Sequence, residues 1–253
     1  MWRVFADYHT HTVHSRGKGT VRDNADAARR QGLEVLGIAD HGPANWGHWK
    51  LTNLQVFEEI KTEVKREMSE NPGLTVLAGV EADIISFAGD LDLPLAMQRS
   101  LDQVLAGFHL TVIPKSFEEG LKFTTDRMLA HFSPQIQKKA RNNNTKAMVE
   151  AVYKNEIDII THPGLGISID TPELARACAK TDTALEINVK HGVKPRTLAC
   201  DIAFIQAAAH EGVKFAIGSD AHSPDRVGKL EAGVWAAQQA GLRAEQIINV
   251  REE

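Results

Sequence analysis

Seven apolar runs punctuate this chain, each short enough to be a buried strand: VFADYHTH, VLGIADH, VLAGVEAD, VLAGFH, DIITHP, ALEIN and FAIGSDAH. Between them apolar positions recur at helical spacing, and strands alternating with helices predict repeated βα units around a parallel sheet. The first run leads into a helix over residues 23–31, with Thr20 or Asp23 as its cap and Gly32 just past its end, where glycine is favoured. Leu54, Phe57, Ile60 and Val64 mark one face of a helix over 54–69, which Asn71-Pro72-Gly73 stops before the third strand. Strands are expected at 35–39, 103–108, 157–160, 184–187 and 214–217, and further helices at 145–154, 172–179, 196–210 and 227–239. The stretch 110–144 breaks this rhythm, with Pro114 and Pro134 as breakers and Lys138, Lys139 and Arg141 near its end. A loop of that length in a compact domain reads as a lid or binding segment, or as a disordered one. No repeat and no low-complexity tract suggests a boundary, so one domain over 1–253 is expected.

Composition changes this picture little. With 43% hydrophobic and 25% charged residues the chain can bury a full core. A formal net charge of -4 gives no basic stripe for a nucleic-acid backbone, and no aromatic stacking platform accompanies it. Cys178 and Cys200 both fall in expected helices and read as small buried hydrophobes rather than a disulfide, which suits a reducing, cytoplasmic setting. No window approaches the roughly 20 apolar residues of a membrane span, and the first residues lack the pattern of an export signal.

The chemistry lies at the ends of the apolar runs. Six of the seven close on a potential metal ligand: His9 and His11, His41, Glu81, His109, His162, and Asp220 with His222. In a closed α/β barrel the carboxyl ends of all strands meet at one face, so these residues would build a single multinuclear site. His9 and His11, two apart on a strand, point to one side and can reach one ion at ~2.0–2.1 Å. Asp7 before them is a candidate acceptor behind the ligands or an ordinary strand-end carboxylate. Asp40-His41 and Asp220-Ala221-His222 each set a carboxylate beside an imidazole, one to ligate and the other to ligate or orient. Glu81 sits in an apolar strand where an unpaired carboxylate is costly to bury, and its two oxygens suit it to bridge two ions about 3.5–4 Å apart.

These motifs in this order resemble the PHP (polymerase and histidinol phosphatase) superfamily, nearest its stand-alone bacterial phosphatase-like branch. The residues that carry the likeness are His9-Thr10-His11-Thr12, Ala39-Asp40-His41-Gly42, Gly79-Val80-Glu81-Ala82, Ala106-Gly107-Phe108-His109, Thr161-His162-Pro163-Gly164, Leu185-Glu186-Ile187-Asn188 and Gly218-Ser219-Asp220-Ala221-His222. The resemblance spans essentially the whole chain. It implies a distorted, TIM-like (β/α)7 barrel and up to three metal ions. His9, His11, Glu81 and Asp220 would hold the first, Glu81, His109 and His162 the second, and His41 with His222 a third. The chain departs from the family where another histidine usually serves the third ion, because Arg16 stands there. A guanidinium cannot ligate a cation. Either His14 substitutes, or His41 and His222 hold the ion alone, or the ion is absent and Arg16 contacts a phosphate oxygen; a changed third site is the preferred reading. Lys18 is read as a solvated loop charge.

The expected activity is hydrolysis of a small phosphomonoester by attack of a metal-bound hydroxide on phosphorus. The water would be held at Glu81 and Asp220, His191 is a candidate acid for the leaving oxygen, and Arg16 and Asn188 are candidate substrate contacts. His48, His131 and His210 are read as surface or packing residues, His131 being the first candidate for an exception because it sits in the long insertion. Two or three divalent ions are implied, zinc first, with manganese or iron as alternatives. Alternative activities are a phosphodiesterase or exonuclease of the same superfamily, C–N hydrolysis of the amidohydrolase type, and a metal-stabilised module without turnover. No lysine at the fourth strand end offers the metal bridge that amidohydrolases generally carry, and no polymerase portion accompanies the domain.

Overall fold

The computed structural model describes residues 1–45, 53–109, 112–121, 133–190 and 195–253, and of residues 191–201 no side chain. Seven parallel strands follow one another around a barrel: β2 (Ala6–Thr10), β3 (Val35–His41), β4 (Thr75–Asp83), β5 (Gln103–Gly107), β6 (Ile159–Ile160), β7 (Ala184–Asn188) and β8 (Phe215–Gly218). The ring closes just beyond β8, where Thr10 bridges Ala221, His11 N donates to Ala221 O at 2.9 Å and Ala221 N to His9 O at 3.3 Å. The buried Asp7 carboxylate strengthens that seam, accepting from the backbone N–H groups of Ser219 and Gly228 at 3.2 and 2.9 Å. β1 (Trp2–Val4) pairs antiparallel with β9 (Val250–Glu252), a small second sheet that the sequence pattern did not announce.

Among the described residues the α-helices are α1 (Val21–Arg30), α2 (Gln55–Glu70), α3 (Leu95–Gln98), α4 (Pro134–Lys154), α5 (Thr171–Thr181), α6 (Pro195–Ala209) and α7 (Glu231–Gln239). Outward-facing strand residues such as Leu36, Ile38, Val76 and Val80 belong to one buried cluster with Phe57, Ile60 and Val64 of α2. The inward-facing set is small: Ala39, Leu105, Ile159, Ala184 and Ala216, with Tyr8 against them. Around it glycines face buried polar side chains. A Cβ on Gly37 or Gly79 would collide with the Gln103 side chain, and one on Gly218 with the Glu186 carboxylate. Absent side chains at these positions thus make room for buried polar groups.

Thr20 proves to be the cap of α1 and Asp23 its partner, because the Thr20 hydroxyl accepts from Asp23 N at 3.2 Å while the Asp23 carboxylate accepts from Thr20 N at 2.8 Å. Thr20→Ala is expected to cost about 1 kcal/mol, the usual value of such a cap, read as a lower urea midpoint at constant slope. The irregular stretch expected over 110–144 is corrected at its end, where α4 begins eleven residues earlier, at Pro134 rather than at Thr145. Pro134 occupies the first helical position, where its missing N–H costs nothing, so it starts the helix instead of breaking one. Arg141 then reaches Asp170 at 2.7 Å and Asn144 reaches Ser168 O at 3.1 Å, tying the basic end of α4 to the loop before α5. The helix expected over 227–239 is likewise shorter: a 3-10 turn at Pro224–Arg226 precedes it and α7 starts at Glu231. Cys178 is buried in the core, which pushes its thiol up to about 12. No helix among the described residues is long and apolar enough to cross a membrane.

Candidate active site

Register brings the ligand candidates together. β3 and β4 pair so that His41 lies directly beside Glu81, and β7 pairs with β8 so that Asn188 lies beside Gly218. In β2 the register shifts between Asp7 and Thr10, one extra residue standing opposite Gly37, and Thr10 Oγ1 donates to Gly37 O across the irregularity at 2.7 Å. Beyond this bulge the two imidazoles of His9 and His11 converge, Nε2 to Nε2, at 3.1 Å. Such bulges re-aim side chains at strand ends. His162 and Asp220 take left-handed backbone (φ of 30° and 48°), a costly conformation for residues with a Cβ and one that turns both side chains into the barrel mouth.

Glu81 stands at the centre. Its Oε1 lies 2.9 Å from His162 Nε2 and 3.2 Å from His109 Nε2. Its Oε2 lies 3.0 Å from His41 Nδ1, 3.3 Å from His9 Nε2 and 3.5 Å from His11 Nε2, and accepts no hydrogen bond although it is buried. Asp220 Oδ1 lies 3.2 Å from both His11 Nε2 and His222 Nδ1. Among the described residues three sets of donor atoms are spaced to share a cation: His9, His11 and Asp220; His41, Glu81 and His109; and His11, His41 and His222. All eight residues expected from the sequence are therefore in one cluster, with His41 lying against Glu81 as well as near His222.

A second layer of carboxylates orients the rings. Glu186 Oε1 is 2.7 Å from His9 Nδ1, and its Oε2 accepts from the His162 backbone N–H at 2.7 Å and from Asn188 Nδ2 at 3.0 Å. Asp83 Oδ1 is 2.6 Å from His109 Nδ1. Each contact fixes the far nitrogen, Nε2, as the one facing the cluster. Burial opposes charge throughout, yet His109, His9 and His41 hold the Glu81 carboxyl well below its usual range, and His9, His11 and His222 do the same for Asp220. Burial and neighbouring imidazoles depress His11, and burial depresses His41, so both rings favour the neutral form. Against burial, Glu186, Glu81 and Asp220 raise His9, while Glu81 and Asp83 raise His109. Ionised carboxylates, the neutral imidazoles of His11 and His41 and a buried carboxylate oxygen without a hydrogen-bond donor are the chemistry of a transition-metal site.

Exposure gives the cluster a direction. The side chains of His9, His11 and Glu81 are at most 1% exposed, whereas His162, His109 and His222 reach 10, 16 and 23%. Solvent and substrate therefore approach past the last three.

Of the other expected residues, Asn188 alone among those described borders the cluster. His14 is turned onto α2, 3.0 Å from Glu63 Oε1, and leaves the imidazole cluster. Arg16 is exposed and donates to Asn45 Oδ1 at 3.1 Å. Asp40 binds Thr12 through N–H and hydroxyl, at 2.8 and 2.6 Å, and the Ser15 hydroxyl as well, so it braces the 12–15 turn rather than His41. Asn188 sits between Glu186 and Asp220. His191, His48 and His131 lie outside the described residues. Sequence reasoning passed over Glu186, Asp83, Asp92 and Lys190; the alternation in Glu81-Ala-Asp83 and in Glu186-Ile-Asn188 was the available signal, since residues two apart share a strand face.

Asp92 accepts from Ala44 N and Asp83 N, both at 2.9 Å, behind His109. Burial, then the charge of Asp83, pushes its carboxyl up to about 8. Its folded pKa exceeds the unfolded value, so the folded state retains a proton that the unfolded chain has released, and stability falls as pH climbs from about 4 toward 8. In metal-free protein, Asp92→Asn should flatten that decline, on the order of 1 kcal/mol per pH unit, in urea titrations at several pH values. An unchanged slope would contradict it.

A model of the PHP domain family matches residues 7–193. The chain belongs to the PHP family. A probable phosphatase of Thermoanaerobacter sp. (strain X514) is 32% identical over 254 residues, spanning 98% of this chain and 91% of the relative. One from Shewanella sediminis (strain HAW-EB3) is 30% identical over 258 residues, spanning 99% and 92%. This chain is accordingly a PHP-family phosphatase. Among solved structures, histidinol phosphate phosphatase from Lactococcus lactis, complexed with zinc, L-histidinol and phosphate, superposes with a TM-score of 0.62 at 16% identity, over 94% of each chain. One of the metal-dependent tyrosine phosphatases of Bacillus subtilis and Streptococcus pneumoniae gives 0.50 at 18%, over 92% of this chain and 86% of the other. At these identities the likeness establishes the shared PHP barrel.

Proposed function

We propose that this chain hydrolyses a small phosphomonoester with the help of two or three divalent ions, zinc being the ion its nitrogen-rich donors suit best. The observation that carries the reading is the two-sided environment of Glu81, with His109 and His162 at one oxygen and His9, His11 and His41 at the other. Glu81 would be shared between ions, Asp220 and His222 completing the set. When bound, such ions lower the pKa of water toward neutrality and neutralise phosphoryl charge. Glu186 and Asp83 hold His9 and His109 so that Nε2 faces inward, and Asn188 steadies Glu186 and Asp220 from the rim. His162, His109 and His222 border the approach for a phosphate group. A single domain over 1–253, with the segment before α4 selecting the substrate as a lid, belongs to the same reading.

Release of phosphate from a panel of phosphomonoesters, with metal content measured on the same sample, tests it. Turnover that scales with bound ions is expected. A fully loaded protein that releases no phosphate, or that instead cleaves C–N bonds, would overturn the reading.

A further inference from the structure

We propose that Lys190 is a substrate-binding residue whose ammonium, seated beside Asp220 and His222 at the open rim of the cluster, takes a phosphoryl oxygen of the substrate. The inference rests on the phosphoesterase reading and names a contact within that site.

Lys190 lies two residues past the end of β7, and its backbone N–H donates to Asn188 Oδ1 at 3.0 Å. The Asn188 amide is itself 3.0 Å from Glu186 and 3.4 Å from Asp220, so the base of the lysine is braced against the ligand layer. From there Nζ reaches 3.0 Å from Asp220 Oδ1 and 3.5 Å from His222 Nε2. The lysine side chain is 34% exposed and the aspartate 3%, so the ammonium enters from the solvent side.

The contact with Asp220 is not one the lysine can keep in a loaded site. Oδ1 of Asp220 is also within 3.2 Å of His11 Nε2 and belongs to the donor set of His9, His11 and Asp220. His9, His11 and Asp220 would hold an ion through Oδ1 among their donor atoms, and the ammonium would then be released while its backbone stays anchored. Its four-carbon stem would then carry three donors in the mouth bordered by His222, where a compact point charge suits a phosphate. The neighbouring set of His11, His41 and His222 contains no carboxylate, so positive charge there is held more weakly by ligation than at the other two. Lys190 supplies that charge covalently.

The test uses the full chain, metal-loaded, as wild type, Lys190→Met and Lys190→Arg. Binding of inorganic phosphate is measured by calorimetry, metal content by elemental analysis, and KM and kcat on whichever phosphomonoester the wild type hydrolyses. Lys190→Met should weaken phosphate binding and raise KM about 10-fold to 100-fold, the loss of one hydrogen bond between charged groups, with metal content unchanged and Lys190→Arg recovering most of the affinity. Unchanged phosphate affinity in Lys190→Met would overturn the proposal. So would an extra bound ion with affinity retained, since the lysine would then be a placeholder for a metal. A wild type that binds phosphate but hydrolyses no phosphomonoester counts against the phosphoesterase reading alone, because the calorimetry still decides the role of Lys190.

Discussion

Replacing Glu81 with glutamine is expected to reduce turnover about 1,000-fold or more, equivalent to roughly 4 kcal/mol of transition-state stabilisation, and to strip ions from the site. The two side chains have nearly the same shape, so the change isolates charge and donor chemistry. A carboxylate presents an acceptor to imidazoles on both sides, His109 and His162 at Oε1 and His9, His11 and His41 at Oε2. A carboxamide must aim an N–H at one of these groups and block the lone pair that would otherwise ligate. Metal content and phosphate release from the same preparation give the answer, with thermal melting as a control for folding. A variant retaining full activity would remove Glu81 from the centre of the mechanism.

Stripping the metals should lower the melting temperature by about 8–16 °C. Ions bound at a thousand times their dissociation constant stabilise the folded state by about 4 kcal/mol, and each kcal/mol moves the midpoint of a chain this size by about 2–4 °C. The donor cluster is built from several strands, so it does not exist in the unfolded chain and its binding energy adds to folding. The raised His9 and His109 also give this shift a pH dependence. Their protons must leave before a metal enters, so the difference between loaded and stripped protein should shrink as the pH is lowered. Melting with and without a chelator at pH 7.5 and pH 6 measures both effects. Equal midpoints at pH 7.5 would refute the prediction.

The strands and the eight clustered residues were legible because each strand is a short apolar run that ends in a ligand-capable residue, and a parallel barrel puts those ends on one face. Three features were not legible, each for a physical reason. The start of α4 at Pro134 was hidden because proline reads equally as a breaker and as a first helical residue. Pairing of Trp2–Val4 with Val250–Glu252 joins the most distant parts of the chain, and three-residue strands carry too little alternation to be read. The orienting layer of Glu186 and Asp83 escaped because a carboxylate hydrogen-bonded to a ring looks, in sequence, like any polar strand residue. His14 illustrates the reverse case: it has the right chemistry and lies in the right segment, but the turn braced by Asp40 presents it to Glu63.

The glycine-lined inner wall bears on how this enzyme could be redirected to other substrates. Gly37, Gly79 and Gly218 each abut a buried polar side chain where even a methyl group has no space, and Gly107 abuts Thr161 and His109 in the same way. Random libraries spread over the barrel interior would therefore yield mostly inactive clones, however small the substitution. Diversity placed instead at the rim, at residues 43–45 and 112–121, leaves the floor and the equally confined Gly42 intact, and that is where selection for altered substrate preference has room to work.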